Sequence, residues 1–322
     1  MIELRNISKS YGSLKVVDDL SLAVARGEIT VLIGPSGCGK TTTLEMINGL
    51  VTPDEGEIIV DQENIAAADI ISLRRRIGYV IQEIGLFPHY TVRENISVVP
   101  KLLKWDQARI NSRIEELLGL VNLGKDVLEK YPHQLSGGQQ QRVGVARALA
   151  ADPQYLLMDE PFGAIDPINR VHLQDEFLRI QNRLKKTVVF VTHDMDEALK
   201  MGERIAVMNR GRLLQYDSPL NILRNPAGDF IEQFVGSRQL MKTLSLLTIA
   251  DLPPEIYQLS GEEQVTAETA QQLLSVDSDL QLALEKLLTS KSPQLTVVDK
   301  NNIQIGLLTL SAFKSYLVKG FY

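Results

Sequence analysis

Gly34-Pro35-Ser36-Gly37-Cys38-Gly39-Lys40-Thr41 follows directly on Ile29-Thr30-Val31-Leu32-Ile33. The octapeptide fits the phosphate-cradling pattern G-x-x-x-x-G-K-[ST]. The run before it is short, apolar and β-branched, so it reads as a buried strand. Gly34, Gly37 and Gly39 let the backbone turn tightly and aim its N–H groups inward. Thr41-Thr42-Thr43-Leu44 opens a helix whose positive end faces the phosphates. Lys40 is then expected to reach the β- and γ-phosphates, and the Thr41 hydroxyl to bind Mg²⁺. Gly34, Pro35, Ser36, Gly37, Cys38, Gly39, Lys40, Thr41 and Thr42 are the candidate nucleotide contacts of this loop. Cys38 reads as a small filler, since no redox or nucleophile motif surrounds it.

Tyr155-Leu156-Leu157-Met158-Asp159-Glu160 supplies the acids. An apolar run ending in two carboxylates reads as a parallel strand that delivers them at its C-terminal end. Asp159 is the candidate metal ligand, and Glu160 the candidate general base for an attacking water. Leu135-Ser136-Gly137-Gly138-Gln139 is a second anion-facing element. Gly137 and Gly138 allow close backbone approach, and Ser136 offers a hydroxyl where a helix begins. Gln140 to Leu149 continues with good helix formers.

The phosphate loop and Leu135–Gln139, in this order, resemble the nucleotide-binding subunit of ATP-binding-cassette (ABC) transporters over roughly residues 1 to 235. The resemblance implies several roles. Gln82, after Ile77 to Ile81, would touch Mg²⁺ and the attacking water. His193, after Val188 to Thr192, would be the switch histidine near the γ-phosphate. Asp166 would lie in a loop that crosses to a partner subunit, with Ile165 replacing the more usual leucine. Tyr11 lies where the family places an aromatic on adenine. Ser136, Gly137, Gly138 and Gln139 would bind the γ-phosphate held by the other subunit, which implies a head-to-tail homodimer using ATP and Mg²⁺. His89, His133 and His172 show no metal-ligand pattern and read as surface or packing residues.

The fold expected is α/β: a P-loop ATPase domain over 1–236, with a mostly parallel sheet and a helical subdomain at about 86–150. A linker and a small α+β module would fill 237–322. At 322 residues the chain can bury one large core and a small one. A net charge of −6 leaves no basic footprint for nucleic acid. One cysteine argues against a disulfide scaffold. No apolar run reaches ~18 residues, and Met1-Ile2-Glu3-Leu4 lacks a secretion signal. Membrane association is therefore expected through partners, at the cytoplasmic face of the inner membrane. ABC proteins of translation or repair carry two cassettes or a long coiled coil; here there is one cassette and no sustained heptads.

In the helical stretch, Asp106 is expected to cap a helix whose Ile110, Ile114, Leu117, Leu118 and Val121 share one face. Glu83 to Val92 is unusually apolar around Pro88. It is either packed under its own subdomain or a docking groove for a short permease helix. Ile81 to His89, Val98-Val99-Pro100, Trp105 and Gly163 to Arg170 resemble importer ATPases for quaternary-amine osmoprotectants such as glycine betaine, choline or carnitine. Such a system also has integral membrane permeases and an extracytoplasmic substrate-binding protein, which would hold the substrate itself. Importers of amino acids or sulfonates stay open as alternatives.

After Ser237, Pro253-Pro254 and Gly261-Glu262-Glu263-Gln264 read as linker. A helix around Leu280 to Leu288, a strand Leu295 to Val298, a turn at Asp299 to Asn302, a strand Ile303 to Leu308 and a helix capped by Ser311 follow. This order resembles one CBS module. Ala312 stands where that family often has a ribose-contacting Asp. The tail is mildly acidic with no run of Lys or Arg, so it is expected to pair two subunits and to add little salt gating.

Overall fold

The computed structural model describes residues 1–82, 85–163, 165–236, 239–257, 273–289 and 294–320. Glu83 and Ile84 of the docking segment, Ala164, Ser237 and the polar stretch Gly261 to Gln264 lie outside the described residues. The chain forms two compact units, Met1–Pro219 and Leu220–Tyr322.

The strands of the first unit are β1 (Ile2–Tyr11), β2 (Leu14–Val24), β3 (Ile29–Ile33), β4 (Glu55–Val60) and β5 (Glu63–Asn64). They continue as β6 (Ile77–Val80), β7 (Tyr155–Asp159), β8 (Thr187–Thr192), β9 (Arg204–Asn209) and β10 (Arg212–Asp217). Six of them form a sheet in the order β10-β9-β3-β8-β7-β6. All its neighbours are parallel except β10, which returns antiparallel beside β9. Every residue of β3, β7 and β8 is buried, as expected of strands covered on both faces. A second, antiparallel sheet has the order β2-β1-β4-β5. Its inner residues Leu4, Ile7, Leu20 and Ile58 share one core with Leu32, Leu157 and Val189 of the first sheet. Helix Lys40–Ile47 lies against both β2 and β7–β8, so the phosphate loop emerges between the sheets. Only the parallel sheet was legible from the sequence.

Helices Val92–Leu102, Gln107–Leu120 and Gly137–Leu149 build the helical subdomain. Asp106 caps the second of them, its carboxylate accepting from the Arg109 N–H at 2.8 Å. Ile110, Ile114, Leu117, Leu118 and Val121 are all buried, as the periodicity predicts. His89, His133 and His172 are exposed.

The second unit begins after Pro219 rather than after Gly236. The reason is that β10, ending at Asp217, is the last strand to join the large sheet, while Leu220 already packs on the second core. Its strands are β11 (Leu273–Ser275), β12 (Gln294–Val298) and β13 (Gln304–Thr309), with β11 parallel and β13 antiparallel to β12. Helices Leu280–Thr289 and Leu310–Gly320 complete the expected helix, strand, turn, strand, helix order. Two expectations need correction. Pro253-Pro254 is not a linker: Leu252 and Tyr257 on either side are buried in the core with Ile249 and Phe313. The proline starts a single 3-10 turn, Pro254–Ile256, where its missing N–H costs nothing. Ser311 does not cap the last helix. Thr309, at the end of β13, accepts from the Ala312 N–H at 3.2 Å, because the cap must keep extended backbone and Ser311 is already helical. Thr309→Ala should therefore destabilise this unit by about 1 kcal/mol, and Ser311→Ala clearly less, in denaturant unfolding of the full chain.

Candidate nucleotide site

Parallel register brings four strand ends within two residues of one another. Ile33 pairs with Thr192, Asp159 with Val191, and Val80 with Met158. The phosphate loop leaves β3, the acids leave β7, His193 follows β8, and Gln82 lies two residues past β6. This is the carboxyl edge of an open sheet, where such folds bind ligands.

Two loop glycines are obligatory here. A side chain at Gly34 (φ 157°) would run into the Met208 carbonyl; one at Gly39 (φ 101°) would meet the Val16 carbonyl at 2.5 Å. Lys40 is buried, and its ammonium donates to the carbonyls of Gly34 at 2.7 Å and Pro35 at 3.0 Å. The Cys38 thiol is buried 3.8 Å from that ammonium, and burial raises its pKa. A nearby turn braces the loop from outside. The Gly211 N–H donates to the Cys38 carbonyl at 3.2 Å, and the Asp18 N–H donates to the Gly211 carbonyl at 2.9 Å. Sequence reading missed this brace. Arg210 and Gly211, at φ 48° and 82°, form a tight hairpin turn whose Arg-Gly pair was the available signal.

The Thr41 hydroxyl donates to Asp159 Oδ1 at 3.2 Å. Asp159 is only 4% exposed, and burial is the main cause raising its carboxyl above the ordinary value. A buried carboxylate beside a hydroxyl is an oxygen donor set that suits Mg²⁺. Glu160 takes a left-handed backbone, φ 41°, while its N–H still donates to the Val191 carbonyl at 3.0 Å. The turn swings its side chain out of the strand direction. Glu160 Oε1 lies 3.1 Å from His193 Nδ1, and Oε2 accepts from Gln82 Nε2 at 3.3 Å. Thr41, Asp159, Glu160, Gln82 and His193 are thus brought together with Lys40.

The other candidates stand apart within one chain. Ser136 and Gln139 close a capping box at the start of helix Gly137–Leu149: Gln139 N–H to Ser136 Oγ is 3.3 Å, and Ser136 N–H to Gln139 Oε1 is 3.0 Å. Gly137 is exposed and Gly138 half-buried. Asp166 is exposed and caps helix Pro167–Leu184; its bonds to the Asn169 side chain and N–H hold its carboxyl below the usual range. Among the described residues, no hydrogen bond or ion pair joins either group to the phosphate loop. Tyr11 ends β1 beside a two-residue turn, half exposed, with the Lys9 ammonium 5.8 Å from its ring.

A lysine-bearing phosphate loop facing strand-end carboxylates defines a P-loop nucleotide-binding cassette. Residues 17–163 match the family model described as ABC transporter. The glycine betaine/carnitine/choline transport ATP-binding protein OpuCA of Bacillus subtilis (strain 168) is 49% identical over 307 residues, covering 95% of this chain and 77% of that protein. The glycine betaine uptake system ATP-binding protein YehX of Escherichia coli (strain K12) is 52% identical over 277 residues, 86% of this chain and 90% of that one. The dimeric post-hydrolysis structure of the ATP-binding cassette MJ0796, bound to ADP and Pi, has a TM-score of 0.62 at 34% identity, covering 68% of this chain and 99% of its own. The chain belongs to the ABC transporter family, among its ATP-binding subunits.

Asp159→Asn should raise the melting temperature of the nucleotide-free chain at pH 7 and abolish ATP turnover. The folded state penalises the charged carboxylate, so its pKa is raised and the cost is present above that pKa. The gain should shrink as pH falls through the raised pKa and vanish below the ordinary carboxylate range, where the wild-type side chain is neutral in both states. Calorimetry of both proteins across pH checks this.

Proposed function

We propose that this chain hydrolyses ATP, as one of a pair of subunits, to drive an importer of quaternary-amine osmoprotectants such as glycine betaine, choline or carnitine. The observation that carries it is the convergence of Lys40, Thr41, Asp159, Glu160, Gln82 and His193 at one sheet edge. The relatives named above support the substrate class. The substrate itself would be held by a separate extracytoplasmic binding protein, and integral membrane permeases would form the path. Among the described residues no helix is long and apolar enough to cross a membrane. The chain would work as a peripheral subunit on the cytoplasmic face.

Lys40 would exchange its bonds to the Gly34 and Pro35 carbonyls for phosphate oxygens, with the loop N–H groups and Thr42 around them. Tyr11 would offer a ring face to the adenine. Thr41 and Asp159 would hold Mg²⁺, joined by Gln82; the ion would neutralise charge on the phosphates. Glu160 would accept the proton of the attacking water. His193 and Gln82 already hold its two oxygens, so the base is oriented before substrate arrives. The γ-phosphate would be met from across a dimer by Ser136 to Gln139 of the second chain, and Asp166 would face the same seam. Ile168, three-quarters exposed just beyond Asp166, is the kind of side chain such a seam would cover.

Phe87 and Tyr90 are each nearly half exposed, with ring centroids 5.4 Å apart. That exposure favours the permease groove over burial beneath the subdomain. Phe87→Ala should weaken co-purification with the permease and leave ATP affinity near normal; an unchanged complex would remove the groove. Glu160→Gln should keep ATP binding, lower turnover by about 10²-fold or more, and accumulate an ATP-bound dimer on size exclusion. A mutant that stays monomeric or turns over normally would overturn the assignment of Glu160.

A further inference from the structure

The helix that starts at Ser136 also reaches the docking segment. Near its far end, Arg147 Nη1 donates to the Gly85 carbonyl at 2.6 Å, and the guanidinium lies 5.7 Å from the Phe87 ring centroid. Gly85 has φ +55°, where a side chain would be strained and would meet the end of the Ile81 side chain. The rest of the segment is held by Asn95, which is fully buried. Asn95 Oδ1 accepts from the Phe87 N–H at 2.8 Å, and its amide donates to the carbonyls of Phe87, Tyr90 and Thr91 at 3.2, 3.0 and 3.0 Å. Asn95 belongs to helix Val92–Leu102, which packs on helix Gly137–Leu149. Among the described residues, the hydrogen bonds leaving 85–91 go to two packed helices and none goes to the sheet that carries the proposed catalytic groups.

We propose that Arg147 is a positioning residue that couples helix Gly137–Leu149, with Ser136 at its start, to the permease-docking residues Phe87 and Tyr90. The inference rests on the importer reading above. A side chain needed only for packing would not bring a guanidinium half out of water, since burial disfavours its charged form. The planar fork does two things at once here: it bonds a backbone carbonyl and faces an aromatic ring. A displacement of the helix on closing over a partner's nucleotide would pull the Gly85 carbonyl and the Phe87 ring with it. Arg147→Lys keeps the charge and a donor for the Gly85 carbonyl but loses the planar face.

The test uses the full chain alone and assembled with its permease. Arg147→Lys should lower permease-stimulated ATP turnover about tenfold, within the usual range of coupling between sites. The ATP KM and the unstimulated turnover should stay within about twofold, since coupling rather than nucleotide contact is lost. Adding Phe87→Leu to Arg147→Lys should cost little more than either change alone, because both act on one link. In the chain alone, ATP should alter amide hydrogen exchange over 85–91 in the wild type and not in Arg147→Lys. Wild-type stimulation in Arg147→Lys, unaltered exchange behaviour, or equal loss of stimulated and unstimulated turnover with a lowered melting temperature would each overturn the proposal. A wild-type chain that its permease neither binds nor stimulates would overturn the importer reading itself, while the exchange experiment would still decide whether Arg147 links the two segments.

Discussion

Everything at the site depends on the register of four parallel strands. β3 and β8 end together, β7 one residue earlier and β6 two, at ~3.3 Å per residue along the strand. The phosphate loop, His193, the carboxylates and Gln82 are attached to those ends by short connections. A slip of one residue in β7 would turn Asp159 to the other face of the sheet and separate it from Thr41. Full burial of β3, β7 and β8 is what forbids such a slip, since both faces are apolar and committed. Packing energy in the core thus sets hydrogen-bond distances at the rim.

Local strain is placed where the chemistry needs direction. Glu160 holds a left-handed conformation that costs roughly 1–3 kcal/mol for a residue of its kind. The bond from its N–H to the Val191 carbonyl and the contacts with Gln82 and His193 hold it there. Asp159, one residue earlier, carries a different burden, a carboxylate desolvated beside a hydroxyl. The two acids are neighbours in sequence yet have separate environments. In the proposed reaction, that separation would let one serve a cation and the other a proton.

The parts of the site that could be read from the sequence are those with local physics. Glycine spacing, a strand ending in acids, and the helix caps at Ser136 and Asp106 each declare themselves within a few residues. What was not legible depends on long-range closure. The antiparallel sheet β2-β1-β4-β5 is made by pairings such as Ile2 with Val60, which no window contains. The brace from Gly211 to Cys38 joins residues far apart in sequence. Strand β11 is three residues long, too short to show alternation. Pro253-Pro254 looked like a linker because composition cannot report that Leu252 and Tyr257 find a core. Ser311 and Thr309 are equally good capping types; only the strand end at Thr309 decides between them.

The capping box at Ser136 would have a consequence for how two chains meet in the proposed pair. One lone pair of the Ser136 hydroxyl is occupied by the Gln139 N–H, and the Ser136 N–H is occupied by the Gln139 side chain. The hydroxyl keeps its proton, polarised by the bond it accepts. Each molecule would therefore bring to an encounter a donor whose oxygen was placed when it folded. Little side-chain freedom is left to surrender on contact, so the cost of pairing lies mainly in the lost tumbling of whole subunits. In the proposed pairing, a donor held this way would also discriminate by distance, because it could not follow a phosphate that stops short.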